Sequence, residues 1–245
     1  MFDYAGHALA RLPARESDLL LEPISYRQSL AARSPPAMRR VGHNPATAAT
    51  KRALDLTLAT VMLAVLAPLM LLVAIAIRLD SPGPALFRQR RIGLQQRHFG
   101  LLKFRTMYDH VPSAGDCRQA TRGDPRITRV GHWLRCTSLD ELPQLVNVLR
   151  GEMSMVGPRP HTPGTCAGGR PFEDVAPHYA ARHAVRPGIT GLAQVRGWRG
   201  ETDTEEKLLR RIDCDLEYIA TWSLLLDVLI LCRTLVSVLG MRNAY

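Results

Sequence analysis

An uncharged, mostly apolar run from Leu56 to Ile77 constrains this 245-residue chain more than any other feature of the sequence. A helix of about 20 apolar residues is long enough to cross the hydrocarbon core of a bilayer. Charged side chains bracket the run, with Lys51 and Arg52 before it and Arg78 after it. The run therefore predicts a membrane-bound protein.

Two shapes of this membrane segment fit the pattern equally well. Pro68 lies in the middle of the run, where a proline removes a backbone hydrogen bond and bends a helix. Basic residues stand at both ends, although translocated flanks avoid Lys and Arg. A re-entrant helix that breaks near Ala67 and Pro68 and returns to the same face satisfies both observations. The alternative is an ordinary transmembrane helix with a tolerated proline kink.

The composition changes on either side of the membrane segment. Residues 1–50 are rich in Arg, Pro, Ala and Ser without a sustained period, which predicts a mobile N-terminal arm. We therefore divide the chain into this arm, a membrane segment at 51–80 and a cytosolic domain at 81–245. The first thirty residues hold no continuous apolar core of a secretory signal. The five widely spaced cysteines include no CxxC pair, which favours reduced thiols in the cytosol.

The formal net charge of +10 suggests an anionic partner, because all but three of the 32 basic residues are arginine. Nucleic acid, anionic lipid headgroups and nucleotide phosphates all fit a net charge of this sign. Aromatic residues make up only 6% of the chain, and the arginines are not gathered in one helix or tail. These two features argue against a nucleic-acid partner.

Beyond the turn at Ser81–Pro84, the pattern predicts an α+β domain that is mainly helical. Short strands are expected at Ala85–Phe87 and His98–Phe104, and a helical region is expected to begin at Trp133–Arg135. A helix is expected over Pro143–Leu149.

A charged helix is expected over Glu201–Thr221. The last apolar segment, Ser223–Leu239, is interrupted by Asp227 and Arg233. It predicts an amphipathic helix on the bilayer surface, with a buried core helix as the alternative.

The candidate chemistry centres on Asp140 and Glu141. Ser138 with Glu141 matches a capping box, and a helix N-terminus would hold Asp140 ionised beside a phosphate. Arg135 and Arg159 lie on either side of these carboxylates in the sequence and could clamp phosphate oxygens.

A second basic group follows the membrane segment and includes Lys103 and Arg105, close to where a phosphorylated lipid presents its headgroup. Other common motifs do not predict a further functional site. The chain has no GxxxxGK or GxGxxG loop, which argues against a P-loop or Rossmann nucleotide site. Asp213 and Asp215 form a DxD pair, but residues two apart on a helix face different directions, so we predict no metal site there.

The ordered motifs between Lys51 and Tyr245 resemble the bacterial sugar transferase family, the monotopic polyprenyl-phosphate phosphoglycosyl transferases. The Arg186–Gln194 run and the tail from Gly197 to Ser223 are most similar to members that transfer glucose 1-phosphate from UDP-glucose to undecaprenyl phosphate. The other matching motifs are Lys51-Arg52-x-x-Asp55, Ser81-Pro-Gly-Pro84, Arg88-Gln-x-Arg91-x-Gly93, Lys103-Phe-Arg-Thr-Met107, Asp124-Pro-Arg-Ile-Thr128, Ser138-Leu-Asp-Glu-Leu-Pro143 and Met153-Ser-x-Val-Gly-Pro-Arg-Pro160.

The resemblance implies a set of roles for the residues that match these motifs. Asp140 matches the nucleophile and Glu141 its dyad partner, with Mg²⁺ bound at both. Lys103, Arg135 and Arg159 match the basic residues of the active site. The resemblance also implies that Pro68 is the break in a re-entrant membrane helix.

The resemblance further implies a catalytic domain on the cytoplasmic face of the bacterial inner membrane, with a UDP-sugar, undecaprenyl phosphate and membrane lipids as partners. Two departures stand out. A fifty-residue arm precedes the matching part where many relatives carry a multi-helix membrane domain, and Ala67 stands where some relatives have serine.

Several alternatives stay open at this stage. Glucose is the first choice of sugar, while galactose and N-acetylhexosamines are not excluded, and a homodimer is neither required nor excluded. A membrane phosphohydrolase that uses the same dyad with water as the acceptor is the enzymatic alternative. A basic membrane adaptor or a nucleic-acid-binding protein is the non-enzymatic alternative.

Overall fold

The structure is a computed structural model that describes residues 45–108 and 123–239. Nearly all of the predicted arm therefore lies outside the described residues. The fold is mainly helical with short strands, as expected. Its elements are α1 (Pro45–Asp80), β1 (Leu86–Ile92), β2 (His98–Phe104), α2 (Arg129–Thr137), α3 (Gln144–Leu149), β3 (Ser154–Val156), β4 (Cys166–Ala167), β5 (Arg170–Pro171), α4 (Phe172–Val175), β6 (Gly188–Thr190), α5 (Leu192–Val195), α6 (Glu205–Thr221) and α7 (Leu224–Leu239).

Helix α1 is long and apolar enough to cross a membrane, which indicates membrane association. Its most apolar window has a mean hydropathy of 2.7, and only 11% of that window is buried. The helix begins at Pro45, since proline suits the first helical position, so it starts six residues before the predicted boundary. It runs through Pro68 without an interruption, and the predicted helix-break-helix shape is not confirmed.

Both ends of α1 are bonded to the domain that follows it. Near the first end, Arg52 donates to the carbonyls of Val148 and Leu149 at 2.7 and 3.1 Å. At the other end, the Asp80 carboxylate accepts a 3.2 Å hydrogen bond from the backbone N–H of Val130. These contacts hold the two ends of α1 on one domain.

A buried polar cluster, which we call the membrane-helix anchor, joins α1 to α6 and α7. It consists of Lys51, Asp55, Tyr218 and Asp227. Lys51 Nζ lies 2.8 Å from Asp227 and 3.3 Å from Asp55, and the Tyr218 hydroxyl donates to Asp227 at 2.8 Å. Asp55 also accepts the backbone N–H of Met155 at 3.0 Å. The anchor therefore fixes the first turns of α1 to strand β3 and to the last helix.

Strands β1 and β2 form an antiparallel hairpin in which Phe87 pairs with Lys103. The first strand is longer than the predicted Ala85–Phe87, while the second matches its prediction. Helix α2 packs closely against the chain that follows β2, because a Cβ on Gly131 would lie 2.1 Å from the Thr106 carbonyl oxygen. The hairpin and α2 thus flank the chain that carries the two acidic candidates.

Helix α7 buries one face and exposes the other. Its Asp227 and Ile230 are almost wholly buried. On the opposite side, Leu225, Leu235 and Val236 are 60 to 73% exposed. An exposed apolar face of this size does not fit the buried core helix that was one of the two alternatives.

Candidate active site

Asp140 and Glu141 lie in a short 3₁₀ turn, Leu139–Glu141, between α2 and α3. Ser138 precedes the turn in the left-handed conformation, with φ of 60°, and its side chain makes no capping bond. Instead, its hydroxyl accepts a hydrogen bond from Arg199. The predicted capping box is therefore wrong, because Ser138 ends α2 and α3 begins only at Gln144.

Glu141 is held by Arg159, which lies beyond β3. Both guanidinium nitrogens of Arg159 donate to the Glu141 carboxylate, one of them at 3.2 Å to Oε2 and the other to Oε1. Burial alone would raise the pKa of Glu141, but the charge and hydrogen bonds of Arg159 lower it below its ordinary value. The pair keeps Glu141 ionised, as expected for a bidentate contact with arginine.

Asp140 differs from Glu141 both in its hydrogen bonds and in the direction of its pKa shift. Within residues 45–108 and 123–239, no group donates a hydrogen bond to its partly exposed carboxylate. Burial and then the adjacent Glu141 charge raise the pKa of Asp140 from 3.8 to about 6. A helix N-terminus therefore does not hold this carboxylate ionised, contrary to the expectation from the sequence. At neutral pH it is still mostly ionised, and it is free to react.

Lys103 and Arg135 supply positive charge beside Asp140. Together with Arg159, both lower the pKa of Asp140 and oppose the effect of burial. The Lys103 ammonium lies 5.3 Å from the ring centroid of Phe87. Burial and the nearby arginines lower the pKa of Lys103 from 10.5 to about 8. The structure thus brings Lys103, Arg135 and Arg159 together around the two carboxylates.

Arg105 does not join this group, although the sequence suggested it as a phosphate ligand. Its side chain is buried and donates to the backbone carbonyls of Ser81 and Pro82, with the Ser81 bond at 2.7 Å. It also bonds the Ser81 hydroxyl at 2.9 Å. The carbonyls at the end of a helix lack intrahelical partners, and Arg105 satisfies carbonyls at and just after the end of α1. These contacts indicate a structural role, which the substitution of Arg105 can test.

Two further arginines lie at the site and were not singled out as site residues. Arg199 bonds Ser138, and its pKa is lowered by burial while the Glu141 charge opposes that shift. Arg91 lies close enough for Arg159 and Glu141 to influence its pKa, which burial lowers to about 10. Both occur in motifs that the resemblance covers, but neither stands near Asp140 in the sequence.

Both residues of the DxD pair, Asp213 and Asp215, lie on helix α6. Asp215 is buried in an ion pair with Arg182, at 2.6 Å. Among the described residues, no group of three or more His, Cys, Asp or Glu side chains could hold a metal ion.

A family model described as bacterial sugar transferase matches residues 46–241 of this chain. The chain belongs to the bacterial sugar transferase family. Both carboxylates and all five basic side chains described above at the site lie inside the matched region. Family membership confirms the resemblance seen in the sequence motifs.

Relatives within the family have high sequence identity to this chain. The undecaprenyl-phosphate glucose phosphotransferase of Komagataeibacter xylinus is 53% identical over 80% of this chain and 37% of its own length. The UDP-glucose:undecaprenyl-phosphate glucose-1-phosphate transferase of Caulobacter vibrioides is 55% identical over 80% of this chain and 72% of its own. The UDP-N-acetylgalactosamine-undecaprenyl-phosphate N-acetylgalactosaminephosphotransferase of Aeromonas hydrophila is 38% identical over 95% of this chain and 53% of its own.

The chain therefore spans less than two thirds of the length of two of these three relatives. What it shares with the relatives from K. xylinus and C. vibrioides is about four fifths of its own length.

Proposed function

We propose that this protein transfers a sugar 1-phosphate, with glucose 1-phosphate as the first choice, from a UDP-sugar to undecaprenyl phosphate and releases UMP. The observation that carries the proposal is Asp140, a carboxylate without a hydrogen-bond partner among the described residues, placed among cations in a family of sugar transferases. The names of the relatives from K. xylinus and C. vibrioides support the substrates. The product would initiate exopolysaccharide or O-antigen synthesis.

The geometry suits a reaction in two displacements. In the first, an Asp140 oxygen attacks the phosphorus that carries the sugar, the bond to UMP breaks, and UMP leaves with the electron pair. The resulting acyl phosphate divides one difficult transfer into two easier ones. In the second, an oxygen of undecaprenyl phosphate attacks the same phosphorus, and Asp140 leaves with its electron pair and is regenerated.

The surrounding cations match the charge of the substrates. Lys103, Arg135 and Arg159 would contact phosphate oxygens, on which negative charge accumulates in both steps. Glu141 stays ionised through Arg159 and keeps Asp140 from pairing with that arginine. The raised pKa of Asp140 makes its carboxylate more basic than an ordinary aspartate and therefore a better nucleophile.

The donor set fits Mg²⁺, which binds one or two carboxylates together with substrate phosphates. Asp140 offers carboxylate oxygens that no described residue bonds, and Glu141 lies beside it with its oxygens bonded by Arg159. These two residues would hold the ion. When bound, Mg²⁺ supplies neutralisation of the charge on the diphosphate.

We propose that α1 is a re-entrant helix that bends at Pro68. A straight helix would separate Arg52 from Asp80 by about 42 Å, more than the roughly 30 Å thickness of a hydrocarbon core. Both residues are nevertheless bonded to one domain, which supports a return to the same face. Basic residues at both ends favour the cytoplasmic face of the inner membrane, where UDP-sugars are available.

The test uses the full chain in nanodiscs, with UDP-glucose labelled in its sugar and with undecaprenyl phosphate. We expect UMP release to match, mole for mole, the appearance of label in the lipid fraction. Free glucose 1-phosphate formed at an undiminished rate without the lipid acceptor would instead identify a phosphohydrolase.

A second sugar is favoured by one specific observation, the likeness to the A. hydrophila relative over 95% of the chain. A panel of UDP-glucose, UDP-galactose, UDP-N-acetylglucosamine and UDP-N-acetylgalactosamine at equal concentration decides among them. We expect the highest kcat/KM with UDP-glucose. A higher value for an N-acetylated sugar would reassign the substrate and leave the reaction class intact.

A further inference from the structure

The backbone segment that carries Arg159 is held by an unusual set of contacts. Pro158 and Pro160 flank Arg159, so they fix two φ angles and provide no N–H groups for a strand ladder. The segment is held through its carbonyls instead. Four consecutive carbonyls accept hydrogen bonds: that of Pro158 from Gly188 N–H at 2.9 Å, that of Arg159 from Arg182 at 2.6 Å, that of Pro160 from Arg91 at 3.0 Å and that of His161 from Ile92 N–H at 3.1 Å.

Arg182 is the buried member of this set. Only 2% of the residue is exposed. Its Nε and Nη2 both donate to Asp215, at 2.9 and 2.6 Å, and its Nη1 lies 2.8 Å from Nδ1 of His161. Its guanidinium therefore bridges α6, which carries Asp215, to the backbone of Arg159.

The stability of the fold does not by itself account for this pair. A buried arginine and aspartate can often be replaced together by apolar side chains without loss of stability, because desolvation offsets their attraction. An apolar pair, however, could not donate a hydrogen bond to the Arg159 carbonyl. Only the charged pair supplies a hydrogen-bond donor, Nη2 of Arg182, that is oriented toward the Arg159 carbonyl.

The Arg159 carbonyl is close in the chain to the group that holds the dyad. Arg159 occupies both oxygens of Glu141, so a displaced Arg159 backbone displaces Glu141 relative to Asp140. We propose that Arg182, held by Asp215, is a positioning residue for the sugar-phosphate transfer, because it fixes the Arg159 backbone and thereby the dyad. This inference rests on the proposed function, in which Asp140 and Glu141 perform the chemistry.

The test compares wild type with the paired variant Arg182→Met/Asp215→Leu, which removes both buried charges. UDP-glucose is mixed with enzyme without a lipid acceptor, and the burst of UMP is followed. We expect a burst amplitude near one UMP per protein in both, and a burst rate constant about 10- to 100-fold lower in the variant. KM for UDP-glucose should change by less than about twofold, since the lost positioning affects the chemical step.

The matched control is Arg196→Gln/Glu217→Gln, which removes an ion pair that is 40% and 46% exposed. It should leave the rate constant unchanged. If the paired Arg182 variant does not fold, Arg182→Lys keeps the charge beside Asp215 but loses the fork, and it should lower the burst rate constant without lowering the amplitude.

Two outcomes would overturn the inference while the proposed function stands. One is an unchanged rate constant, and the other is a lowered amplitude with an unchanged rate constant, which would indicate a structural role alone. A wild-type enzyme that gives no burst would overturn the covalent step of the proposed function and this inference with it.

A double-mutant cycle adds a second readout. In an Arg159→Ala background the paired change should cause no further loss of rate, because it acts through Arg159. Additive losses would show that Arg182 acts by another route and would overturn the inference.

Discussion

The membrane-helix anchor and the dyad site both gather charged side chains, but they satisfy them to different degrees. In the anchor, Asp227 is fully buried and accepts from Lys51, Tyr218 and Trp222 at 2.8, 2.8 and 3.3 Å. Asp55 likewise accepts from several donors. Every charged group of the anchor therefore has an ion-pair partner and hydrogen bonds inside the protein.

The dyad site, formed by Asp140, Glu141, Lys103 and Arg159, is compensated only in part. Glu141 and Arg159 pair with each other. Asp140 has no hydrogen-bond partner among the described residues, and Lys103 contacts the ring of Phe87. The comparison indicates that the anchor is complete as folded, whereas the dyad site keeps a carboxylate that no described residue bonds, as the proposed binding of phosphate substrates requires.

The comparison predicts its largest effect at Asp140. The isosteric change Asp140→Asn should lower kcat by about 10⁴-fold or more, because it removes the proposed nucleophile. The melting temperature should stay the same or rise, since a charge without a partner beside Glu141 is lost. Activity in the UMP-release assay and calorimetry in detergent measure the two quantities.

The control is Asp174→Asn, at an exposed position, which should change neither quantity. Undiminished turnover by Asp140→Asn would refute the assigned role of this carboxylate.

The corresponding change in the anchor, Asp227→Asn, should act mainly on stability. It removes the closer of the two counter-charges of Lys51 and leaves Asp55, so the loss of charge-assisted hydrogen bonds to Asp227 should cost about 1.5–3 kcal/mol of unfolding free energy. Urea unfolding in micelles measures this loss. The exposed pair gives a matched control, since Glu217→Gln should cost about 1 kcal/mol or less. Equal losses for the two variants would contradict the comparison.

Substitution of Arg105 tests whether this basic residue, which is close to Lys103 in the sequence, binds substrate or only stabilises the fold. Arg105→Met should lower the unfolding free energy by about 1–3 kcal/mol, because carbonyls near the end of α1 lose their donor. KM for UDP-glucose should not change in the folded variant. Lys103→Met is the contrasting change and should raise KM about tenfold or more. A raised KM for Arg105→Met would return this residue to the phosphate ligands.

The smallest predicted effect concerns the basic limb of the pH profile. Lys103 has a pKa of about 8, so it is protonated below that pH and loses its charge above it. We expect kcat/KM to fall as the pH rises through about 8. Lys103→Arg keeps its charge and should move the limb upward with little change at pH 7. A limb that stays in place in this variant would assign it to another group.

Local features of the sequence were enough to predict the long apolar helix and strand β2, while the dyad stays a prediction. An apolar run and the spacing of motifs are properties of residues close in the sequence, so they can be recognised without knowledge of the fold. Arg199 could not be found in this way, because it reaches Ser138 from a distant part of the chain. Its position depends on how α6 and the segment before it pack.

The errors have a similar origin. Arg105 lies two residues from Lys103 in the sequence, and this proximity led to the prediction that both bind phosphate. It follows the end of β2, however, and its N–H bonds the Ala85 carbonyl at 2.8 Å while its side chain turns to the end of α1. The prediction of a capping box was wrong because Ser138 adopts a left-handed backbone conformation, which the local sequence pattern did not indicate.

The membrane-helix anchor also sets an order of events during synthesis. Lys51 emerges from the ribosome long before Asp227, its closest counter-charge. Helix α1 is therefore synthesised before its counter-charge on α7 exists. The anchor can form only after α7 has been synthesised. The contacts of α7 with Lys51 are therefore among the late contacts that join α1 to the domain.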